Sequence, residues 1–167
     1  MTLTLVLGGA RSGKSRHAEG LIEAAPGPWT YIATAQAFDD EMRARIALHR
    51  ARRSSQWTTI DAPIELPQAM RAAPQGRPIL VDCLTLWLTN LMLSDADVSA
   101  ARADLLGACR AAQGPLVVVS GEVGLGVVPE NALARRFRDE LGALNQALAQ
   151  AAEHVVLTVA GLPLKVK

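Results

Sequence analysis

The sequence contains little cysteine: Cys83 and Cys109 are the only two, and neither belongs to a Cys-x-x-Cys pair. A chain of 167 residues can bury a core without disulfide bonds, so this composition predicts a reducing cytoplasm and two core thiols. The three histidines, His17, His49 and His154, show no metal-ligand spacing with these cysteines. The sequence therefore argues against a disulfide framework and against a zinc site.

The chain also lacks an excess of either charge and any long apolar run. It has 17 Lys and Arg against 16 Asp and Glu, and a net charge of +1 gives no general attraction to nucleic acid or to an anionic membrane. No apolar run reaches the ~18 residues of a membrane span. A secretory signal requires a basic segment before its apolar stretch, and none precedes the first apolar stretch here. These absences predict a cytoplasmic protein with neither nucleic acid nor membrane as a partner.

Short apolar runs alternate with longer helical patterns along the chain. The predicted strands begin at Thr2, Trp29, Pro78, Pro115 and His154, with a weaker candidate at Trp57. The predicted helices cover residues 14–25, 39–53, 84–93, 97–112 and 129–152. Because the central runs are apolar at every position, their strands should be covered on both faces, as in a parallel sheet with helices on each side. The pattern predicts one α/β domain over residues 1–167, with a mainly parallel sheet.

The segment from Gly8 to Ser15 matches the Gly-x-x-x-x-Gly-Lys-Ser pattern of a P-loop. Its glycines let backbone N–H groups point at phosphate oxygens, Lys14 brings a mobile charge to the outer phosphates, and the Ser15 hydroxyl can bind Mg²⁺. The alternative is a glycine-rich turn that only links a strand to a helix, but the flanking strand and helix favour nucleotide binding. The predicted phosphate-contacting residues are Gly8, Gly9, Ala10, Arg11, Ser12, Gly13, Lys14 and Ser15.

Two acidic residues could complete a metal site beside the P-loop. Asp82 ends the apolar run "PILVD", where a metal-binding aspartate follows a strand in P-loop proteins, and Glu122 follows the run "VVVSG". Asp82 could instead cap the helix that begins at Leu84. The metal role is favoured for Asp82, and the sequence alone does not separate it from Glu122.

A basic helical segment raises a second chemical possibility. Arg45, Arg52 and Arg53 lie four residues before, three after and four after His49, so all can share one helix face with it. Their charges favour a neutral imidazole, which is a nucleophile that could attack the α-phosphorus of a bound triphosphate. A solvated basic face is the alternative. The chain has no Asn-Lys-x-Asp signature and no room for an inserted module, so a small-metabolite kinase is the plain inference from the P-loop.

Several blocks together resemble one family. They are "GGARSGKSRHAE", "YIATAQAFDDEMRARIALHRARR", "LVDCLTLWLTNLM", "EVGLGVVPENALARRFRDELGALNQALA" and "GLPLKVK", in this order along most of the chain. The chain is similar to the bifunctional adenosylcobinamide kinase / adenosylcobinamide-phosphate guanylyltransferases of cobalamin biosynthesis. The resemblance implies phosphorylation of the aminopropanol hydroxyl of adenosylcobinamide with ATP or GTP. Transfer of GMP from GTP to that phosphate, through a guanylylated histidine, should follow.

The resemblance also implies roles for individual residues. His49 falls on the family's covalent histidine, and Lys14 and Ser15 on its phosphate and Mg²⁺ positions. Asp82 is often Glu in relatives, which leaves its share of metal binding open. The further nucleotide-contacting positions are Ala33, Thr34, Ala35, Arg50, Ala51, Arg52, Arg53, Asp61 and Asp82. The expected substrates are a corrinoid, ATP and GTP, with Mg²⁺ as cofactor and a ring of three subunits. A kinase in which His49 is inert, or a nucleotide-binding module without transferase activity, are the alternatives.

Overall fold

A computed structural model of the protein describes residues 2–36, 40, 43, 47, 51 and 53–167. The strands are β1 Leu3–Gly8, β2 Trp29–Ala33, β3 Trp57–Asp61, β4 Ile79–Asp82, β5 Leu116–Gly121, β6 His154–Val159 and β7 Leu162–Lys165. The helices are α1 Lys14–Glu23, α2 Leu66–Ala72, α3 Leu84–Leu93, α4 Val98–Ala111 and α5 Ala132–Ala151. The helix expected over residues 39–53 falls mostly outside the described residues.

All seven strands form one sheet in the order β3-β2-β4-β5-β1-β6-β7. Every neighbouring pair is parallel except β6 and β7, which run antiparallel. The predicted α/β class and mainly parallel sheet are therefore confirmed, and the weak candidate at Trp57 is an edge-side strand. The order places β5 between β1 and β4, and because these three strands are parallel, the loops that follow them lie at the same carboxyl edge.

The apolar runs are buried on both sides because helices cover each face of the sheet. All six residues of β5 are buried, and successive side chains alternate between the two cores. Leu116 and Val118 pack among α2, α3, α4 and α5, whereas Val117 and Val119 pack against α1. The core on the α1 side is the smaller one, and it includes Trp29, Tyr31 and Trp57.

Two short elements were not predicted from the sequence. The helix α2 has seven residues and carries Pro67 in its first turn, and it is held by the burial of Leu66 and Met70. The strand β7 has four exposed residues that pair with β6 after a turn at Ala160 and Gly161, both with positive φ. Tertiary contacts rather than local pattern define both elements. No helix within the described ranges combines the length and apolar composition that crossing a bilayer needs.

Candidate functional site

The P-loop connects β1 to α1 with the geometry that a phosphate-binding turn requires. The strand ends at Gly8, and α1 begins at Lys14 directly after Gly13, whose φ of 90° lies in the left-handed region that favours glycine. The Lys14 ammonium folds back and donates to the Gly9 carbonyl at 2.9 Å. In the described structure no side chain caps the N-terminus of α1, so its first amides point into the loop. The loop thus brings together backbone amides, a helix N-terminus and a lysine, which are groups that can bind an anion.

The neighbouring strand β6 and the β6–β7 turn support this loop. The Thr158 hydroxyl lies 2.8 Å from the Ser12 hydroxyl and donates to the Leu7 carbonyl at 3.0 Å. The Gly161 N–H in the β6–β7 turn donates to the Ser12 carbonyl, also at 3.0 Å. A Cβ at Gly8 would lie 2.3 Å from both the Ser12 and Thr158 hydroxyl oxygens and 2.9 Å from the Thr158 carbonyl. Only glycine fits there without displacing the support.

The two acidic candidates occupy the same carboxyl edge as the P-loop but have different surroundings. Glu122 follows β5, its N–H donates to the Gly8 carbonyl at 3.0 Å, and its Oε1 accepts from the Gly124 N–H at 2.6 Å. Asp82 ends β4 and lies on the same face of the sheet as Leu80, which packs toward α1. Glu122 is bound into its own loop, whereas the Asp82 carboxylate is on the face that carries Lys14 and Ser15.

The turn after β2 is fixed to the end of β4 through Thr34, which is fully buried. Its hydroxyl donates to the Cys83 carbonyl at 2.6 Å and accepts from the Cys83 N–H at 2.8 Å. The Asn90 amide on α3 then donates to the carbonyls of Thr34 and Pro63, each at 2.9 Å. The Thr34 hydroxyl is committed to the protein, so a nucleotide contact at Ala33–Ala35 would have to use other atoms of the turn.

The pKa of Cys83, the residue after Asp82, is affected both by burial and by the P-loop lysine. Burial raises the pKa of the half-buried Cys83 thiol to about 11, with a smaller contribution in the same direction from the Asp82 charge. The Lys14 ammonium has the opposite and smaller effect on the pKa of Cys83. Lys14 is thus within electrostatic reach of the end of β4, although β5 separates β4 from β1.

Some of the remaining predicted residues lie within the described part of the chain, and others lie outside it. Asp61 ends β3 opposite Ala33, at the same carboxyl edge as Asp82. Arg53 places its guanidinium carbon 3.4 Å from the centroid of the Tyr31 ring and donates to the Thr59 hydroxyl at 2.9 Å. Ala51 is described as helical and exposed. His49, Arg50 and Arg52 lie outside the described residues, so their roles stay predictions.

Three residues at this edge were missed by the sequence-based prediction. Tyr31 donates its hydroxyl to Asp82 Oδ2 at 3.1 Å, and Thr158 and Gly161 hold the P-loop as described above. The Ala-Gly pair after β6 is a turn signal that could have indicated a hairpin. Nothing local could have connected Tyr31 to Asp82, which lies 51 residues away.

The oxygen donors at this edge suit Mg²⁺ bound together with a nucleotide better than they suit a metal whose ligands all come from the protein. Ser15 supplies a hydroxyl and Asp82 a carboxylate, and Mg²⁺ is commonly bound by one or two protein oxygens together with nucleotide phosphates and water. The part of the chain that the structure describes holds no group of three or more His, Cys, Asp or Glu placed to bind a metal. The residues present therefore fit a cation that the nucleotide brings with it.

Comparison with known proteins identifies a family that this chain matches. The family model described as "Cobinamide kinase / cobinamide phosphate guanyltransferase" matches residues 4–166. A Pseudomonas aeruginosa protein named "Bifunctional adenosylcobalamin biosynthesis protein CobP" is 52% identical over 166 residues, covering 98% of this chain and 96% of that protein. A Salmonella typhimurium protein named "Bifunctional adenosylcobalamin biosynthesis protein CobU" is 44% identical over 182 residues and covers 99% of each chain.

Solved structures of distant proteins share the fold. The type III secretion ATPase EscN of enteropathogenic E. coli aligns with a TM-score of 0.54 at 12% identity, over 95% of this chain and 43% of that one. The RadB recombinase aligns with a TM-score of 0.50 at 15% identity, over 93% of this chain and 73% of that one. At such identities the likeness supports the P-loop architecture and nothing more specific.

Proposed function

Because the chain belongs to the cobinamide kinase / cobinamide phosphate guanyltransferase family, we propose that its P-loop serves two successive transfers. The first phosphorylates the hydroxyl on the aminopropanol arm of adenosylcobinamide, with ATP or GTP as donor. The second transfers GMP from GTP to that phosphate and yields adenosylcobinamide-GDP. A kinase without the second activity is not favoured, since the relatives that match nearly the whole chain are named bifunctional.

The observation that carries this proposal is a P-loop with phosphate-binding geometry in a chain that matches the family model over residues 4–166. Two observations support the binding of a polyphosphate at this loop: Lys14 folds back onto the Gly9 carbonyl, and no described side chain caps the N-terminus of α1. The contacts of Thr158 and Gly161 with Ser12 hold the loop in this shape through the protein's own groups. A site formed in advance lowers the entropic cost of holding the nucleotide in a reactive position.

In the first transfer the substrate hydroxyl attacks the γ-phosphorus in line with the leaving nucleoside diphosphate. The hydroxyl releases its proton to solvent water as the new P–O bond forms and the bridging P–O bond breaks. Lys14 and the N-terminal amides of α1 stabilise the negative charge on the phosphoryl oxygens. This step needs no covalent intermediate with the enzyme.

In the second transfer a neutral His49 nitrogen attacks the α-phosphorus of GTP, and pyrophosphate leaves. A phosphate oxygen of the substrate then attacks the same phosphorus and releases the histidine. The guanidinium groups of Arg50 and Arg52 would bind the phosphates during these displacements. The family resemblance supports this role for His49, which lies outside the described residues.

Ser15 and Asp82 would hold Mg²⁺ together with the nucleotide phosphates, and the ion would supply positive charge against the phosphate oxygens. Asp82 is the better candidate because its side chain lies on the sheet face that α1 covers, the face that carries Lys14 and Ser15. Thr34, Cys83 and Asn90 would keep the end of β4 in place around that carboxylate.

Incubation with GTP labelled at the α-phosphorus tests the covalent step. The wild-type protein should take up an acid-labile, base-stable label, and peptide mapping should assign it to His49. The variant His49→Ala should take up no label, lose guanylyl transfer by a thousand-fold or more, and keep much of its kinase activity, so that adenosylcobinamide phosphate accumulates. Labelling of another residue, or loss of both activities together, would refute the role of His49.

We also propose a trimer and a cytoplasmic location. The trimer rests on the family resemblance, and the exposed side chains of Leu162 and Leu164 on β7 and of Val166 just after it offer an apolar edge that a subunit contact could cover. Free thiols at Cys83 and Cys109 fit a reducing compartment. Sedimentation that shows only a 17.7 kDa species at micromolar concentration would refute the trimer.

A further inference from the structure

A side chain of β2 reaches the Asp82 carboxylate at the end of β4. In the sheet register Tyr31 lies opposite Leu80 and Ala33 lies opposite Asp82, so the Tyr31 ring extends two positions toward the carboxyl edge to reach its partner. Its hydroxyl donates to Asp82 Oδ2 at 3.1 Å. One carboxylate oxygen thus receives a hydrogen bond from a neighbouring strand.

The Tyr31 ring is itself held on two sides. The guanidinium carbon of Arg53 lies 3.4 Å from the ring centroid, and Arg53 also donates to the Thr59 hydroxyl on β3 at 2.9 Å. The Trp57 ring packs edge-on at 6.0 Å with an interplanar angle of 77°. A cation over one face and an aromatic ring at the side leave the buried phenol little freedom to rotate.

The direction of this hydrogen bond follows from the chemistry of the two groups. Tyr31 is only 4% exposed, and its phenol brings the O–H, whereas a carboxylate oxygen accepts. The Tyr31 hydroxyl is therefore the donor and Asp82 Oδ2 the acceptor.

We propose that Tyr31 is a positioning residue for Asp82 and that Arg53 clamps its ring. The hydroxyl fixes Oδ2, and Asp82 would then hold a nucleotide-bound cation in one orientation, as outer partners orient metal-binding carboxylates in other sites. This inference rests on the proposed metal role of Asp82. It also gives Arg53 a different task from the phosphate contact expected of it, since its guanidinium stacks on Tyr31 and binds Thr59.

Two variants separate the parts of this arrangement. Tyr31→Phe removes the hydroxyl and keeps the ring under Arg53, whereas Arg53→Met removes the charge and keeps Tyr31 beside Asp82. Thr30→Val is the matched control, because it removes a hydroxyl from the same strand that is buried and has no hydrogen-bond partner among the described residues. Asp82→Asn reports the metal role itself.

The first readout is binding of Mn²⁺, as a probe for Mg²⁺, to the protein saturated with an α,β-methylene analogue of GTP in the absence of corrinoid. This analogue cannot transfer GMP, so no chemistry intervenes. Tyr31→Phe should raise the dissociation constant of Mn²⁺ by about 10- to 100-fold, with a smaller rise in Arg53→Met. Binding of the analogue in EDTA and the unfolding temperature should stay near wild type in Tyr31→Phe, and Thr30→Val should match wild type in Mn²⁺ affinity.

The second readout uses the single tyrosine of the chain. Protein labelled with 3-fluorotyrosine gives one ¹⁹F resonance, which should move when Mg²⁺ is added to the analogue complex. The same titration of the Asp82→Asn variant should leave the resonance in place. A resonance whose chemical shift does not change with Mg²⁺ in the wild-type protein would overturn the coupling of Tyr31 to the metal site.

The outcomes distinguish this inference from the proposed function. If Asp82→Asn weakens Mn²⁺ binding and Tyr31→Phe does not, the positioning role is wrong and the metal role of Asp82 stands. If Asp82→Asn binds Mn²⁺ like wild type, the metal role fails and the inference fails with it. If Tyr31→Phe weakens metal-free nucleotide binding and lowers the unfolding temperature to the same extent as Mn²⁺ binding, the hydroxyl is a packing element and the proposal is overturned.

Discussion

The P-loop and the end of β4 form two sides of the candidate site, and they are built differently. The P-loop is one contiguous segment whose shape depends on glycines and on backbone hydrogen bonds. The end of β4 is assembled from side chains on separate elements, with Tyr31, Thr34 and Asn90 all held by contacts across 49 to 56 residues of sequence. A contiguous site can be recognised from its sequence alone, whereas an assembled one becomes visible only when the strands are placed side by side.

The largest expected effect is the loss of both activities in Lys14→Ala, because in the proposed function one phosphate site serves both transfers. Each rate should fall by about 100- to 1,000-fold or more, the scale seen when a single charge-stabilising donor is removed. Initial rates of phosphorylation and of guanylyl transfer measure the change. Arg16→Ala, an exposed position on the same helix, is the control and should retain both activities. Phosphorylation within a few-fold of wild type in Lys14→Ala would refute the shared site.

The next effect concerns the thiol on the β4 side. Because its pKa is raised to about 11, Cys83 should react with iodoacetamide at pH 8 about a hundred-fold more slowly than an ordinary cysteine. The rate should continue to rise with pH up to that pKa, since only the thiolate reacts. Cys109, with a pKa raised to about 12 by burial, should be slower still under peptide mapping. A rate for Cys83 that levels off near the ordinary cysteine pKa would contradict the buried environment.

The same measurement can connect the two sides. Lys14 lowers the pKa of Cys83, so Lys14→Ala should slow its alkylation further at a fixed pH. Saturation with nucleotide should also protect Cys83 in the wild-type protein if the phosphates bind between Lys14 and β4. Equal rates with and without Lys14 would show that the two sides do not interact electrostatically.

A smaller effect, on stability, should distinguish two adjacent glycines of the P-loop. Gly8→Ala places a methyl group against Ser12 and the Thr158 carbonyl, and it should lower the free energy of unfolding by about 3 kcal/mol. Gly9→Ala meets no atom within 4 Å and should change it by no more than about 0.5 kcal/mol. Urea unfolding without nucleotide measures both. Equal losses would mean that the support behind Gly8 does not constrain the loop.

The smallest expected effect is in Asn90→Ala, which breaks the assembled side without touching the P-loop. The variant leaves the carbonyls of Thr34 and Pro63 without their amide donor, at a cost of about 1–2 kcal/mol in urea unfolding. Thr89→Ala, the next residue on the same helix, removes only a hydroxyl bonded to the Thr85 carbonyl and should cost less. A larger loss from Thr89→Ala than from Asn90→Ala would contradict the role given to the amide.

Features encoded in short segments were predictable, and features encoded across the sheet were not. The bounds Leu84–Leu93 of α3 agree with the predicted 84–93, because the apolar pattern and its flanks are local. The strand β7 escaped prediction because its four residues are exposed and are ordered only by pairing with β6. The bond from Tyr31 to Asp82 escaped it because it depends on β2 and β4 being neighbours, although β3 and α2 lie between them in sequence.

The position of β1 between β5 and β6 has a consequence for the order of events during synthesis. Among the described residues, 3–8 pair with 116–121 and 154–158, so the P-loop emerges from the ribosome long before the strands that flank it. A nascent chain that ends before β6 lacks the threonine and the turn that seat the loop. Contacts over such separations slow folding, because long loops must close before they are stabilised. Nucleotide should therefore bind late in synthesis, and the nascent chain should expose β1 for most of the time that it is being made.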